Sequence, residues 1–250
     1  IHRKLQEAGR PHPYLHGERA LFGVMPDWNP AEIIGVRPRP LALSLYKEII
    51  TDNIWAYQRD NYGYSNLRSF PLMLSFCGLP YIDVRVDFNS FIPKDVEPEL
   101  ARKLVNYYME RLVATPSHHD KVEFEVVFSC YTLDLPERLR ALSSAGFTEA
   151  ECANLTDSLR NLTNRIIHAE TGLWRHDVER IKHLVSTQEM VSGSRLDAVS
   201  KIYWLLEDCK RYGTLPFAGL ARAAFIAVQQ LRSLVAIGIL SETEREAFMS

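Results

Sequence analysis

The sequence predicts an α+β fold, with a small antiparallel sheet in the N-terminal half packed on a predominantly helical C-terminal bundle. Two observations carry this. Residues 80–93, "PYIDVRVDFNSFIP", and 121–135, "KVEFEVVFSCYTLDL", alternate apolar and polar side chains with a period of two, the pattern of a half-buried strand. From residue 136 onward, apolar residues recur at helical spacing with glycines as the breaks.

Taken in order, residues 1–19 are polar, include the loop "RPHPYLHG", and are expected to connect domains. "ALFGVM" (20–25) reads as a short strand. The stiff corner "PDWNP" follows, where Asn29 suits an N-cap, Pro30 a first helical position and Glu32 the positive helix end. Residues 40–60 space Leu41, Leu45 and Ile49 as a helix, "NYGYSN" breaks it, and 66–77 reads as another short helix. The strand at 80–93 then turns Ile82, Val84, Val86 and Phe88 one way and Asp83, Arg85, Asp87 and Asn89 the other. A helix over 97–114 leads to the second strand, whose polar face carries Glu123 and Glu125. Helices are predicted over 136–145, 148–169, 175–189, 194–212 and 216–238, with a short one after Ser241; Thr148 and Glu151 fit a capping box. The expected division is a connection (1–19), a mixed α/β subdomain with a candidate pocket (20–135) and a helical subdomain (136–250).

Composition narrows the function. Of 250 residues, 46% are hydrophobic and 24% charged, enough apolar material for a sizeable core. The net charge of −2, without a basic block, argues against nucleic acid as the main partner, because phosphate neutralisation needs clustered Lys and Arg. No apolar run reaches the roughly 18–20 residues of a membrane span. With no signal peptide visible, the expectation is a cytoplasmic protein and no membrane partner. Cys77, Cys130, Cys152 and Cys209 lack metal-ligand spacing and are expected as reduced thiols. A chain beginning at Ile1 reads as a piece of a longer polypeptide.

The polar strand face is the sharpest candidate site. If the two strands pair, Asp83 and Arg85 stand opposite Glu123 and Glu125. One reading is a solvated face with cross-strand salt bridges. The other is a pocket in which an Arg fork grips a carboxylate or phosphate while a carboxylate accepts from an amine or amide. "HHDK" (118–121) offers too few convergent ligands for a metal, and reads as a turn or an acid/base histidine. Arg37, Arg39, Arg59 and Arg68 fall in loops beside Tyr62 and Tyr64, where they either solvate a surface or meet a phosphate. Arg222 stands within an otherwise apolar helix and needs a carboxylate or a ligand as partner. No GxxxxGK[ST], GxGxxG or GxSxG motif occurs, so no self-contained catalytic apparatus is visible.

"MPDWNPAEIIG", "PLALSLYKEIITD", "GLPYIDVRVDFNSFIP", "HDKVEFEVVFSCYTLDL" and "GTLPFAGLARAAFIAVQQLRSLV" together resemble the central region of phosphoenolpyruvate-synthase-like and pyruvate-phosphate-dikinase-like phosphotransferases, from about residue 14 to the end. Relatives of that family include rifampicin phosphotransferase and the capsule-pathway glutamine kinase. The resemblance implies an ATP-grasp domain before this region and a swinging phosphohistidine domain after it, with ATP and Mg bound outside this chain. No histidine here matches the carrier loop. The region itself is then expected to bind the small-molecule acceptor, an amino acid such as glutamine or a pyruvate-like acid. Arg85 or Arg68 would hold an anionic group, Asp83, Glu123 and Glu125 an amine or amide, and the corner would present Trp28 and Asn29. The other expectation is a non-catalytic spacer and docking surface for the carrier. At the corner, Trp28 alternatively plugs the junction between sheet and bundle while Asn29 caps the helix.

Overall fold

The computed structural model describes residues 1–250 and shows the α+β architecture, with helices far outweighing one three-stranded antiparallel sheet. Helix α1 (His2–Ala8) precedes strand β1 (Phe22–Gly23). After the corner come α2 (Pro30–Ile33), α3 (Pro40–Tyr46), a π-helical turn (Lys47–Thr51) and α4 (Ile54–Tyr62), so residues 40–62 are helical nearly throughout. Strands β2 (Met73–Phe76) and β3 (Leu79–Asp83) form a hairpin, and the sheet order is β1-β3-β2 with Met73 opposite Ile82 and Phe22 opposite Asp83.

The short helix expected at 66–77 does not form: 66–72 are loop and turn, and β2 follows. Pro71 cannot donate to a helix there, and Cys77 and Gly78 both take positive φ (52° and 80°), the geometry of a two-residue hairpin turn. The buried side chains of the hairpin, Met73 and Ile82, pack with Tyr46, Trp55 and Ala56 of α3 and α4.

The strand expected over 80–93 stops at Asp83. Its carboxylate accepts from the backbone N–H groups of Arg85 (3.0 Å) and Val86 (3.2 Å), capping α5 (Val84–Asn89). Once the chain turns helical, the alternation no longer sorts residues into two faces. Val84 and Phe88 enter one apolar cluster, Val86 joins another with Ile82, and Arg85, Asp87 and Asn89 are buried too.

The second expected strand, 121–135, is likewise corrected. Residues Val122–Val126 make a π-helical turn, and 127–134 run on without pairing to any strand. Side chains of the surrounding helices satisfy that backbone instead of a ladder. These helices are α6 (Pro98–Ala114), α9 (Glu149–Ile167) and α13 (Leu215–Ala236). Arg111 of α6 donates to the Val126 carbonyl, the Tyr108 hydroxyl of the same helix accepts from Phe128 N–H (3.3 Å), and Thr163 of α9 accepts from Tyr131 N–H (2.8 Å). From α13, Gln229 donates to Ser129 Oγ (3.1 Å), Gln230 to the Tyr131 carbonyl (2.6 Å), and Ser233 accepts from Leu133 N–H. The segment thus lies along α13, across the boundary expected at 135.

The remaining helices are α7 (Leu135–Arg138), α8 (Arg140–Ser144), α10 (Leu173–Ile181), α11 (His183–Gly193), α12 (Ala198–Asp208) and α14 (Glu242–Met249), with a π turn at Cys209–Thr214 leading into α13. Thr148 and Glu151 form the capping box of α9. Gly219 lets α13 approach α4 and α10 closely: a Cβ there would stand 1.8 Å from Asp177 Oδ2 and 2.5 Å from the Tyr62 hydroxyl. That hydroxyl donates to Asp177 (2.6 Å), tying α4 to α10. No helix is long and apolar enough to cross a membrane.

Candidate functional site

A cavity of about 360 Å³ opens between the corner 27–33, α4, residues 120–124 and α13. Three stretches that the sequence singled out meet there: the "DWNP" corner, the acidic segment at 121–125 and the helix carrying Arg222.

The corner is strained. Asp27, Trp28 and Asn29 all adopt positive φ (28°, 58° and 34°), a region that costs a side-chain-bearing residue roughly 1–3 kcal/mol. Contacts from neighbouring helices hold it. The Tyr46 hydroxyl donates to the Trp28 carbonyl at 2.5 Å, and Arg59 donates to Asp27 Oδ2 at 2.8 Å. Burial pushes the Tyr46 hydroxyl far up, with Asp27 adding to it, so it stays a donor. Asn29 sits at the N-cap position of α2, as the sequence suggests, but its side chain makes no cap bond; Nδ2 donates to Glu32 instead (3.1 Å). Trp28 points its ring at Phe217 of α13, with centroids 6.2 Å apart.

Beneath the corner lies a buried ion network. Arg222 grips Glu123 with both terminal nitrogens, one of them at 2.8 Å from Oε1, and Arg59 lies 4.0 Å from the same carboxylate. The π turn at 122–126 is what swings Glu123 inward while Val122 and Val126 enter the core. Burial drives the Glu123 carboxyl upward, with Arg59 opposing and Asp27 adding. The two direct bonds from Arg222 pull the other way and keep it an anion. Both guanidiniums also lie over Phe91, at 4.3 and 5.2 Å from its centroid. Below them Asp87 is fully buried, and neither of its carboxylate oxygens has a donor partner. Burial pushes its carboxyl well up and the Asp27 charge adds to this, while the Arg59 charge opposes it.

Of the expected site residues, Trp28, Asn29 and Glu123 line the cavity, whereas Arg85, Asp83, Glu125 and Arg68 do not. Arg85 donates to the carbonyls of Ala8 (2.7 Å) and Arg10 (3.0 Å), fastening the N-terminal segment to α5, and Asp83 is spent on capping. Arg68 pairs with Asp60 (2.5 Å) and stacks on Tyr57. Glu125 is half-buried and forms no ion pair. The shared strand face does not exist, because neither polar stretch is a strand where its charges lie. Arg59, expected in a loop, is in α4 and buried, while Arg37 and Arg39 are exposed.

The sequence reading missed Gln58 and the role of Asp87. Gln58 is 3% exposed, borders the cavity, and its Nε2 has no hydrogen-bond partner. Neither carries a signal in the sequence of its own; for the Arg222–Glu123 pair the signal was Arg222, a charge on an apolar helix that requires a carboxylate or a ligand, with Glu123 in a segment rich in Val and Phe. His118 ends a short 3-10 turn, and no group of three or more His, Cys, Asp or Glu is placed to hold a metal ion. Compared with protein-family models, curated proteins and solved structures, the chain finds no match.

Proposed function

We propose that this chain is the acceptor-binding part of a multidomain, ATP-dependent phosphotransferase of the phosphoenolpyruvate-synthase type, working in the cytoplasm. The supporting observation is the cavity beside the "DWNP" corner, in which buried Arg59, Arg222 and Glu123 and half-buried Asp27 stand among aromatic side chains. Its volume lies within the roughly 300–1,000 Å³ of small-molecule sites. The second support is the resemblance of five stretches, three of which contribute to that cavity.

The chain's own residues would bind and orient the acceptor and exclude water, since phosphoryl transfer rests on positioning and charge stabilisation. No glycine-rich phosphate loop and no metal-ligand cluster occur here. In this proposal the family resemblance assigns ATP and Mg to a preceding domain, and the phosphohistidine to a following one.

The test fills the cavity. In the full-length enzyme, Ala221→Phe narrows the site from its α13 wall. ATP-dependent loading of the carrier histidine should persist. Acceptor-dependent ATP turnover, followed with a panel of amino acids, 2-oxo acids and hydroxylated aromatics, should fall about tenfold or more, the factor that corresponds to ~1.4 kcal/mol. Unchanged acceptor turnover would instead favour the spacer and docking reading.

A further inference from the structure

We infer that the outer face of α12 is a self-association surface, on which a second copy of this chain packs antiparallel. The cavity does not enter this inference, because no residue of α12 lines it.

The helix turns two different faces to its surroundings. Asp208 is buried, Leu205 is half-buried, and Lys201 donates to the Ser192 carbonyl (2.7 Å) near the end of α11. These three stand one above another at helical spacing, and α12 packs chiefly on α11 and on the π turn that follows it. The opposite stripe has no partner. Val199, Ile202 and Tyr203 are 76%, 59% and 56% exposed, and half-buried Leu206 continues the stripe. Leu196, just before the helix, is exposed too, and Trp204 extends the patch by meeting the Tyr203 ring edge-on at 5.3 Å.

The area fits a dimer. A fully exposed side chain of this size offers on the order of 150–250 Å², so Leu196, Val199, Ile202, Tyr203 and Trp204 together leave roughly 600 Å² uncovered. A contiguous apolar patch beyond a few hundred Å² marks an interaction site. Two copies joined through this face remove about 1,200 Å² between them, the size at which specific interfaces begin.

The charges select the partner. Along the helix and its ends Arg195, Asp197, Lys201, Glu207 and Arg211 alternate in sign. A lipid surface calls for a basic rim, and a partner of one sign calls for an excess of the other. A two-fold interface sets one face against itself and needs this balance. Pairing the helices antiparallel about the level of Lys201 puts Val199 against the partner's Tyr203 and Leu196 against the partner's Leu206. Arg195 then faces the partner's Glu207. Arg195 is exposed and forms no ion pair within its own chain, whereas a parallel pairing would set it beside the partner's Arg195. Glu207 already holds Lys210 and Arg211, and a carboxylate has room for about four bonds.

The experiment sediments the 250-residue chain to equilibrium from micromolar to near-millimolar concentration. A reversible dimer is expected. Val199→Glu, at an exposed first-turn position where an acidic residue suits the helix, should raise its dissociation constant at least tenfold. Arg195→Glu, at an exposed position before the helix, should raise it about fivefold by turning an attraction into a repulsion. Far-UV circular dichroism matching the parent shows that both variants fold. A chain that stays monomeric throughout overturns the inference, as does one that floats with phosphatidylcholine–phosphatidylserine vesicles instead of dimerising. A dimer that ignores Val199→Glu forms through another face, and one that ignores Arg195→Glu is not antiparallel; either result overturns it. None of these outcomes bears on acceptor turnover, which tests the cavity separately.

Discussion

Two stretches with the same alternating sequence meet different fates. Residues 80–89 begin as a strand, are capped by Asp83 and become α5; residues 121–127 never form a strand and close into a π turn. Both bury charges, but for different purposes. In the first, Arg85 turns to the backbone carbonyls of residues 8 and 10 and serves the local chain. In the second, Glu123 meets Arg222 across 99 residues and forms the floor of a cavity. Period-two patterning therefore reports alternation of polarity and not, by itself, a solvated face: a side chain that finds a partner at long range is buried whatever its charge.

The largest effect expected from breaking this contrast comes at Arg222. Arg222→Ala leaves Glu123, only 8% exposed at its side chain, without its bidentate partner. Removing one member of a buried pair costs about 3–5 kcal/mol. Urea unfolding should show that loss, and the double variant Arg222→Met with Glu123→Leu should recover most of it, because the uncompensated charge is then gone. A single variant as stable as the parent would show that Arg59, at 4.0 Å, suffices to neutralise Glu123.

Much of this was legible beforehand. Capping at Thr148, the helices from 148 to 238 and the stiff corner at 26–30 follow from local chemistry, because each depends on residues a few positions apart. The solitary Arg222 called for a partner, either a carboxylate or a ligand, and the structure supplies a carboxylate. What could not be read was which carboxylate, since pairing at a separation of 99 residues leaves no periodic trace. Nor was the fate of 127–133 legible, for an extended chain bonded to Thr163, Gln229, Gln230 and Ser233 has the same composition as a strand in a ladder. The positive φ values of Asp27 and Trp28 were also hidden, because they are imposed by Tyr46 and Arg59 rather than by the corner's own residues.

A middle-sized effect is expected at Arg85. Arg85→Met keeps the aliphatic stem and removes both bonds to the carbonyls of Ala8 and Arg10, each a hydrogen bond to a charged group. Such bonds contribute roughly 1.5–3 kcal/mol. The loss should concentrate at the chain's start, so limited proteolysis should cut within residues 1–19 faster, while acceptor binding at the cavity stays as in the parent. A Met variant that weakens binding as strongly as it loosens the N-terminal segment would erase the distinction between the two regions.

The smallest effect has the opposite sign and lies where the two regions touch. Asp87 belongs to α5, yet its carboxyl faces Asp27, Arg59 and Glu123 beneath the cavity. Burial, then the Asp27 charge, push its folded pKa well above the ordinary value, while Arg59 opposes them. The folded protein therefore keeps a proton that the unfolded chain releases in the usual carboxylate range, so stability from this group is full at acid pH and declines as pH rises toward the folded pKa. Asp87→Asn is nearly isosteric and removes the titrating group. At acid pH, where Asp87 is protonated in both states, its titration contributes nothing to the difference between the two proteins, which sets the baseline. Above that range the Asn variant should become progressively the more stable, and a melting temperature measured against pH should show the two curves separating upward. Curves that stay parallel, or cross with Asp87 favoured at high pH, would mean that Asp87 is ionised in the fold and paired with Arg59. The cavity floor would then carry one more negative charge, held by the same two arginines that hold Glu123 and Asp27.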